Sequence, residues 1–330
     1  MSTTYRIFID FYFRLKYNCI IAGDSVLCDR KFFLLLGVNM NGLKSSRVKM
    51  IFSMTVFGTI SLFVKKIPLV SGEIALYRAF LAFILIGVYL LVKRQKIHFR
   101  EMEKTLPLLI LSGCAMGINW ILFFEAFNYT TVSVATLSYY FAPVIVTLAC
   151  PVIFKEKMGA KQWICFFMAT LGIILITGLD INSENDNITG ILFGLGAACL
   201  YSVVIILNKF IKNVDDIQKT FIQFVSAAAV LLPYVLLTSG INIASLSGGG
   251  LISLLFVGLF HTGVTYCFYF SAMKGLSGQE TAILSYIDPL VAVLVSVVIL
   301  KEEMTLMQII GGVIILGFTL WNEIKGKKDL

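Results

Sequence analysis

The 330-residue sequence predicts an all-α integral membrane protein, with ten transmembrane helices arranged as two inverted five-helix repeats. Three observations predict it: the composition is too apolar for a water-facing surface, the apolar residues fall in runs of membrane-spanning length, and one stretch recurs 146 residues further on. Apolar types make up 58% of the chain, mean hydropathy is +0.89, and charged residues are 14%. A soluble chain carries about 25% charged residues, so this one could not cover a surface in water. The net charge of +8 does not indicate a nucleic-acid partner, because the basic residues sit in short clusters between apolar runs.

A bilayer core of about 30 Å needs roughly 20 helical residues. Ten such windows can be drawn, near 48–64, 74–92, 106–125, 132–154, 162–179, 188–207, 220–238, 250–273, 280–300 and 306–321. They are continuously apolar and lack the alternation of barrel strands. Lys and Arg in loops set orientation. With Lys44, Arg47 and Lys49 inside, the loops bearing Lys93, Arg94, Lys96, Arg100, Lys104, Lys155, Lys157, Lys161, Lys209, Lys212, Lys219 and Lys274 also fall inside, as does the tail with Lys325, Lys327 and Lys328. Only Lys65, Lys66 and Lys301 fall outside. The expectation is therefore a multi-pass protein of the cytoplasmic membrane, bathed in lipid, with both termini cytoplasmic.

Residues 1–43 stand apart. Their apolar stretches are interrupted by Arg6, Asp10, Arg14, Lys16 and Asp24, and the run Phe32 to Val38 is too short to span. They read as a poorly ordered or interfacial extension, or as a mis-assigned start with Met40 the true one. The first repeat then occupies 44–180, the second 188–323, and a cytoplasmic tail 324–330. Cys114, Cys150, Cys165, Cys199 and Cys267 lie singly in apolar runs, Cys19 and Cys28 lie in the extension, and the only histidines are His98 and His261. No CxxC or Cys/His cluster is present, so neither a metal nor a cofactor is expected.

The repeat is carried by 138–162 and 284–308. Tyr140, Pro143, Leu148, Val152, Ile153, Lys155, Glu156, Met158 and Gln162 recur as Tyr286, Pro289, Leu294, Val298, Ile299, Lys301, Glu302, Met304 and Gln308. A shared Tyr-x-x-Pro and Lys-Glu-x-Met at one spacing is not what two apolar helices produce by coincidence. Because five is odd, the second copy enters the membrane from the opposite side. Inverted repeats allow two shapes of similar energy around a midplane site, the architecture of alternating access.

The runs EAFNYTTVSVATLSYYFAPVIVTL (125–148), KEKMGAKQW (155–163) and 269–317 resemble the paired signatures of the EamA family of the drug/metabolite transporter superfamily, and ALYRAFLAF (75–83) resembles its Arg-bearing second helix. The resemblance covers about 48–321. It implies a ten-helix inner-membrane carrier, usually an exporter, with a central cavity between the halves. Glu125 departs from the pattern, standing where a small or neutral residue is commoner.

Polar side chains inside hydrocarbon are costly, so those present should face protein or a wet cavity. At about 100° per residue, His261, Thr262, Thr265, Tyr266 and Tyr269 share one stripe of the eighth window, and Ser133, Thr136, Tyr140, Pro143 and Thr147 share another in the fourth. With Trp120 and Tyr286 these are the candidate walls of a solute cavity, and their aromatic character suits apolar, aromatic or cationic solutes. The alternative is that the hydroxyls join helices, as Gly113 with Gly117 and Gly190 with Gly194 do through small-xxx-small contacts.

Four groups are candidates for charge or proton coupling. Arg78 either snorkels to the outer interface or meets a solute or carboxylate. Glu125 is either a solvated helix end or a buried acid, and His261 either a proton relay or a satisfied polar contact. Asp288 precedes the helix-bending Pro289, whose repeat mate is Pro143, but it points about 160° from Tyr286 on an ideal helix. Glu156 and Glu302 read as interfacial caps and salt-bridge partners.

The whole suggests a secondary transporter, with outward transport expected, of a small organic solute such as an amino acid, metabolite or drug. No GxxxxGK[ST] pattern supplies an ATP site. A channel, a non-transporting scaffold or a membrane-embedded enzyme are the alternatives, the last supported only by Asp215-Asp216. Solute identity and oligomeric state carry no sequence signal.

Overall fold

The computed structural model describes residues 46–95, 102–154, 159–177, 186–211, 214–273, 275–276 and 284–323. The 1–43 extension, the 324–330 tail, Glu156, and the basic residues Lys96, Arg100, Lys155, Lys157, Lys212 and Lys274 lie outside them. Among the described residues all regular structure is helical. Seven helices are long and apolar enough to cross a membrane: Ser46–Val64, Ser71–Val92, Leu106–Tyr129, Val132–Ala149, Asn187–Phe210, Ile217–Thr238 and Gly248–Tyr269. Three shorter apolar helices, Ala160–Ile176, Ile287–Ile299 and Leu306–Asn322, accompany them.

Several of these are segmented. In chain order the α-helices are α1 Ser46–Gly58, α2 Ser61–Val64, α3 Ser71–Val92, α4 Leu106–Tyr129, α5 Val132–Tyr139, α6 Ala142–Phe154, α7 Ala160–Thr177, α8 Asp186–Phe210, α9 Asp216–Thr238, α10 Gly248–Leu255, α11 Thr265–Met273, α12 Ile287–Leu294 and α13 Leu306–Glu323. π-helical stretches join α10 to α11 (Phe256–Val264) and continue α12 (Val295–Ile299).

Helix starts are marked by side chains that accept from unpaired N–H groups. Asp215 caps α9 through Ile217 and Gln218, Ser247 caps α10 through Gly250, and Thr131 caps α5 through Val134. Two repeated residues acquire a role here. Thr305 and Gln308 form a reciprocal capping box at α13, with Thr305 N–H donating to Gln308 Oε1 at 3.0 Å and Gln308 N–H to Thr305 Oγ1 at 3.2 Å. The mate Gln162 accepts from Gly159 N–H at 2.5 Å at the start of α7.

Packing is symmetric between the halves and interleaves them. α1 packs on α11 and α12, as α8 packs on α4 and α5; α3 packs on the Phe256–Val264 stretch, as α9 packs on α4. α3 with α9, α5 with α12, and α7 with α13 pair across the pseudo-axis. The glycines expected at close contacts lie at them: Gly117 faces Ala227, Gly190 faces Thr130 and Gly194 faces Ser138, while Gly113 faces Gln223 and Ser226. Each half therefore completes the other's core, and the centre lies where the two repeated Tyr-x-x-Pro stretches cross.

Candidate functional site

Proline has no N–H to donate to the carbonyl four residues back. Pro143 thus leaves the Tyr139 carbonyl without its helical partner, and Pro289 leaves that of Ser285. The chain turns at Tyr140-Phe141, between α5 and α6, and at Tyr286, just before α12. Broken helices of this kind place side chains in the bilayer interior without a continuous wall of backbone. The two rings lie 6.3 Å apart, and the Tyr140 hydroxyl donates to Asp288 Oδ2 at 2.8 Å. The Ser285 carbonyl stands 3.5 Å from the same hydroxyl.

These turns border a cavity of about 420 Å³, within the ordinary size range for small-molecule sites. Its walls are aromatic. Phe57, Tyr266 and Tyr269 form one cluster, with centroids 5.0 to 6.2 Å apart, and Phe123, Tyr139 and Tyr201 another, at 4.6 and 5.3 Å. Gly58 lets α1 reach this point, since a Cβ there would stand 2.6 Å from the Asp288 carbonyl oxygen and 2.7 Å from Val291.

Arg78 and Asp288 bring a guanidinium and a carboxyl group to the walls. Arg78 is 5% exposed, donates from Nε to Thr262 Oγ1 at 2.6 Å, and lies with Cζ 4.2 Å from the Trp120 ring centroid. Burial two turns inside α3 is the outcome for this residue, not a stem snorkelling to the interface. Its repeat mate, Gln223, does not line this cavity. Gln223 donates to Ser112 Oγ at 2.8 Å and to Asn208 Oδ1 at 3.1 Å.

Of the residues singled out from sequence, Arg78, Trp120, Thr136, Tyr140, Pro143, Tyr266, Tyr269, Tyr286 and Asp288 all line the cavity. Pro289 is buried beside it. The bend overrides the ideal-helix angle and brings Tyr286 and Asp288 to the same wall.

Ser133, His261, Thr262 and Thr265 do not line it; all four are buried in helix contacts. The stripe from His261 to Tyr269 splits because Phe256–Val264 is a π-helix, which turns less per residue than the 100° on which the stripe rests. Thr262 and Thr265 hydroxyls donate to carbonyls five residues back, Val257 and Phe260. His261 sits among Phe63, Phe256 and Phe260, its Nε2 3.0 Å from Thr59 Oγ1. The Thr59 hydroxyl already donates to the Val56 carbonyl, so it accepts from His261. Glu125 stays at the end of α4, accepting from Ser71 Oγ at 2.6 Å and Asn128 Nδ2 at 3.3 Å, away from Arg78.

Wall residues that sequence reasoning missed include Tyr139, Tyr201, Phe57 and Ser61. Tyr139 adjoins Tyr140 and was reachable as its neighbour; the others carry no local signal. Ser61, 1% exposed, has no hydrogen-bond partner for its hydroxyl among the described residues.

Among the described residues the lining of the cavity is buried towards one end and partly exposed towards the other. Towards Lys65 its wall consists of the buried Ser61, Phe127, Val132 and Ala292. Towards Lys209 it is lined by Val146, Thr147, Ile205 and Ser285, all partly exposed, and by Lys209, which is exposed.

Comparison with known proteins agrees with this arrangement. The model of the EamA-like transporter family matches residues 47–178 and again 188–322. The uncharacterized transporter YxxF of Bacillus subtilis (strain 168) is 29% identical over 274 residues, spanning 81% of this chain and 86% of its own. An uncharacterized transporter of Archaeoglobus fulgidus is 26% identical over 287 residues, covering 85% and 98%. A protein of known crystal structure shares the fold with a TM-score of 0.56 at 14% identity, over 83% of this chain and 95% of that one. With both halves matched and a cavity where they cross, the chain belongs to the EamA-like transporter family and is a multi-pass membrane transporter.

Proposed function

We propose that this protein is a secondary transporter that moves a small organic solute outward across the cytoplasmic membrane by alternating access. In this reading the seven long and three shorter helices are ten crossings, and the two halves are inverted copies. The Lys209 end faces the cytoplasm, where the positive-inside rule places it. One observation carries the proposal: a solute-sized aromatic cavity lies at the repeated Tyr-x-x-Pro crossing, and among the described residues its lining is buried towards Lys65, the end read as closed, and partly exposed towards Lys209, the end read as open. The outward direction follows the resemblance to EamA carriers, which are usually exporters, and in that cycle a cavity open to the cytoplasmic side is the loading state.

The walls suit a solute with an apolar or aromatic body. Arg78 offers a fixed cation and Asp288 an acceptor, so amino acids, other small metabolites and drug-like molecules fit the chemistry. No ATP site is invoked; the solute's own gradient or an ion gradient drives the cycle.

The test is a thermal-shift screen of amino acids, nucleoside derivatives and cationic drugs, followed by counterflow in proteoliposomes with each hit. Saturable counterflow that Tyr266→Ala or Tyr140→Ala weakens is the expected result. Flux without saturation or counterflow would make the protein a channel, and binding without flux a scaffold.

A further inference from the structure

We propose that Glu302 is the latch of the closed end, holding the two repeats together there until the cavity opens on that side. The inference rests on the alternating-access reading and assigns the contact that such a cycle must break.

Three ends meet at this carboxylate. Lys65, at the C-terminal cap of α2, pairs with Oε1. Oε2 accepts the backbone N–H of Val132, the first residue of α5, at 2.8 Å, and the Ser296 hydroxyl at 2.5 Å. Lys65 and Val132 belong to the first half, and Ser296 and Glu302 to the second. The same residue therefore ties α2 and α5 to the end of α12 and its π-helical continuation.

Position and chemistry both suit a latch. Val132 is fully buried and lines the closed end of the cavity, so the helix start that Glu302 holds is itself part of the barrier. A helix N-terminus carries unpaired N–H groups and partial positive charge, and Thr131 supplies only the acceptor for Val134. Glu302 gives α5 its second acceptor from the opposite repeat, so drawing the repeats apart exposes both the N–H and the Lys65 ammonium. Water at the bilayer surface can satisfy each, so the bond is strong enough to hold and replaceable when it breaks. The backbone is shaped for this contact. Lys301 adopts φ +59°, a left-handed conformation uncommon for a residue with a side chain, and Glu302 N–H returns to the Ser296 carbonyl at 3.1 Å.

The experiment measures spin-label distances by pulsed electron resonance in the reconstituted full chain. One label pair, at Asn128 and Thr305, spans the closed end; a second, at Val152 and Ser271, spans the open end. All four positions are exposed. Glu302→Ala is expected to raise the population with a lengthened Asn128–Thr305 distance about tenfold, the worth of one hydrogen bond to a charged group. The Val152–Ser271 distance should shorten in the same molecules. Glu302→Gln, which keeps an acceptor for Val132, should give a smaller rise, and Lys65→Met the smallest.

Unchanged distributions in folded Glu302→Ala would overturn the latch. So would opening at both ends, which would mark Glu302 as a general stabiliser. If Glu302→Ala does not fold, Glu302→Gln and Lys65→Met decide, and unchanged distances in both would overturn it. The readout requires no solute, so failure of the latch and failure of the transport reading are separate results.

Discussion

The two Tyr-x-x-Pro stretches share a backbone solution and differ in chemistry. Both turn at their tyrosine, three residues before a proline, and both tyrosines line the cavity. In the second stretch the residue before proline is Asp288, which accepts the Tyr140 hydroxyl; in the first it is Ala142, whose carbonyl accepts from Ser202 Oγ at 3.0 Å. Arg78 and Gln223 differ in the same way. The arginine enters the cavity over Trp120, whereas the glutamine is held by Ser112 and Asn208 in a helix contact. Repetition therefore builds the frame, and the departures from it supply the polar groups of the site.

Substitutions at these departures test that division. Arg78→Ala should have the largest effect. For a solute whose anionic group meets Arg78, as the proposed function allows, losing this buried cation should weaken binding by at least about 30-fold in titration calorimetry. Arg78→Lys should not restore it, because the planar group stacked on Trp120 is lost. Next comes Asp288→Asn, expected to lower counterflow about tenfold. Moving the acid to the mate position, with Ala142→Asp and Asp288→Ala together, should recover part of that loss if presence in the cavity matters more than which repeat provides it.

Gln223→Ala should leave binding unchanged. Its expected effect is a lower thermal midpoint, equivalent to about 1–2 kcal/mol, since two hydrogen bonds inside a helix contact disappear. A change in solute affinity instead would show that the mate site is not purely structural. The smallest effect is expected of Tyr140→Phe, which keeps the ring and removes the hydroxyl's bond to Asp288 and its longer contact with the Ser285 carbonyl. A loss of roughly two- to fivefold in affinity is the expected result.

Much of the frame was legible in the chain itself. An N–H or C=O group in hydrocarbon has no water to bond, so a long apolar run has little choice but to become a helix. The recurrence of Tyr140 and Pro143 as Tyr286 and Pro289 pointed to the two turns that the structure contains, while the helix caps at Gln162 and Gln308 emerged only from the structure. Trp120, Tyr140, Tyr266 and Tyr269 were legible as wall residues because bulky polar groups are costly elsewhere in a membrane, whereas Arg78 and Asp288 were legible only as charge or proton coupling candidates.

Other assignments depended on tertiary contacts. Helical angles count residues at a constant turn, and the π-helix at Phe256–Val264 removes that constancy, sending His261, Thr262 and Thr265 into contacts and Tyr266 and Tyr269 to the cavity. Tyr286 and Asp288 share a wall only because proline bends the chain between α-helical segments. Arg78 is buried because Trp120 and Thr262 come from other helices to receive it, and Glu302 ties two repeats because Lys65 and Val132 reach it from far along the chain. Composition and period are local properties, and they decide which segments are helices and where they break. Which group meets which depends on how ten apolar segments share one core, and that is settled only when the helices pack.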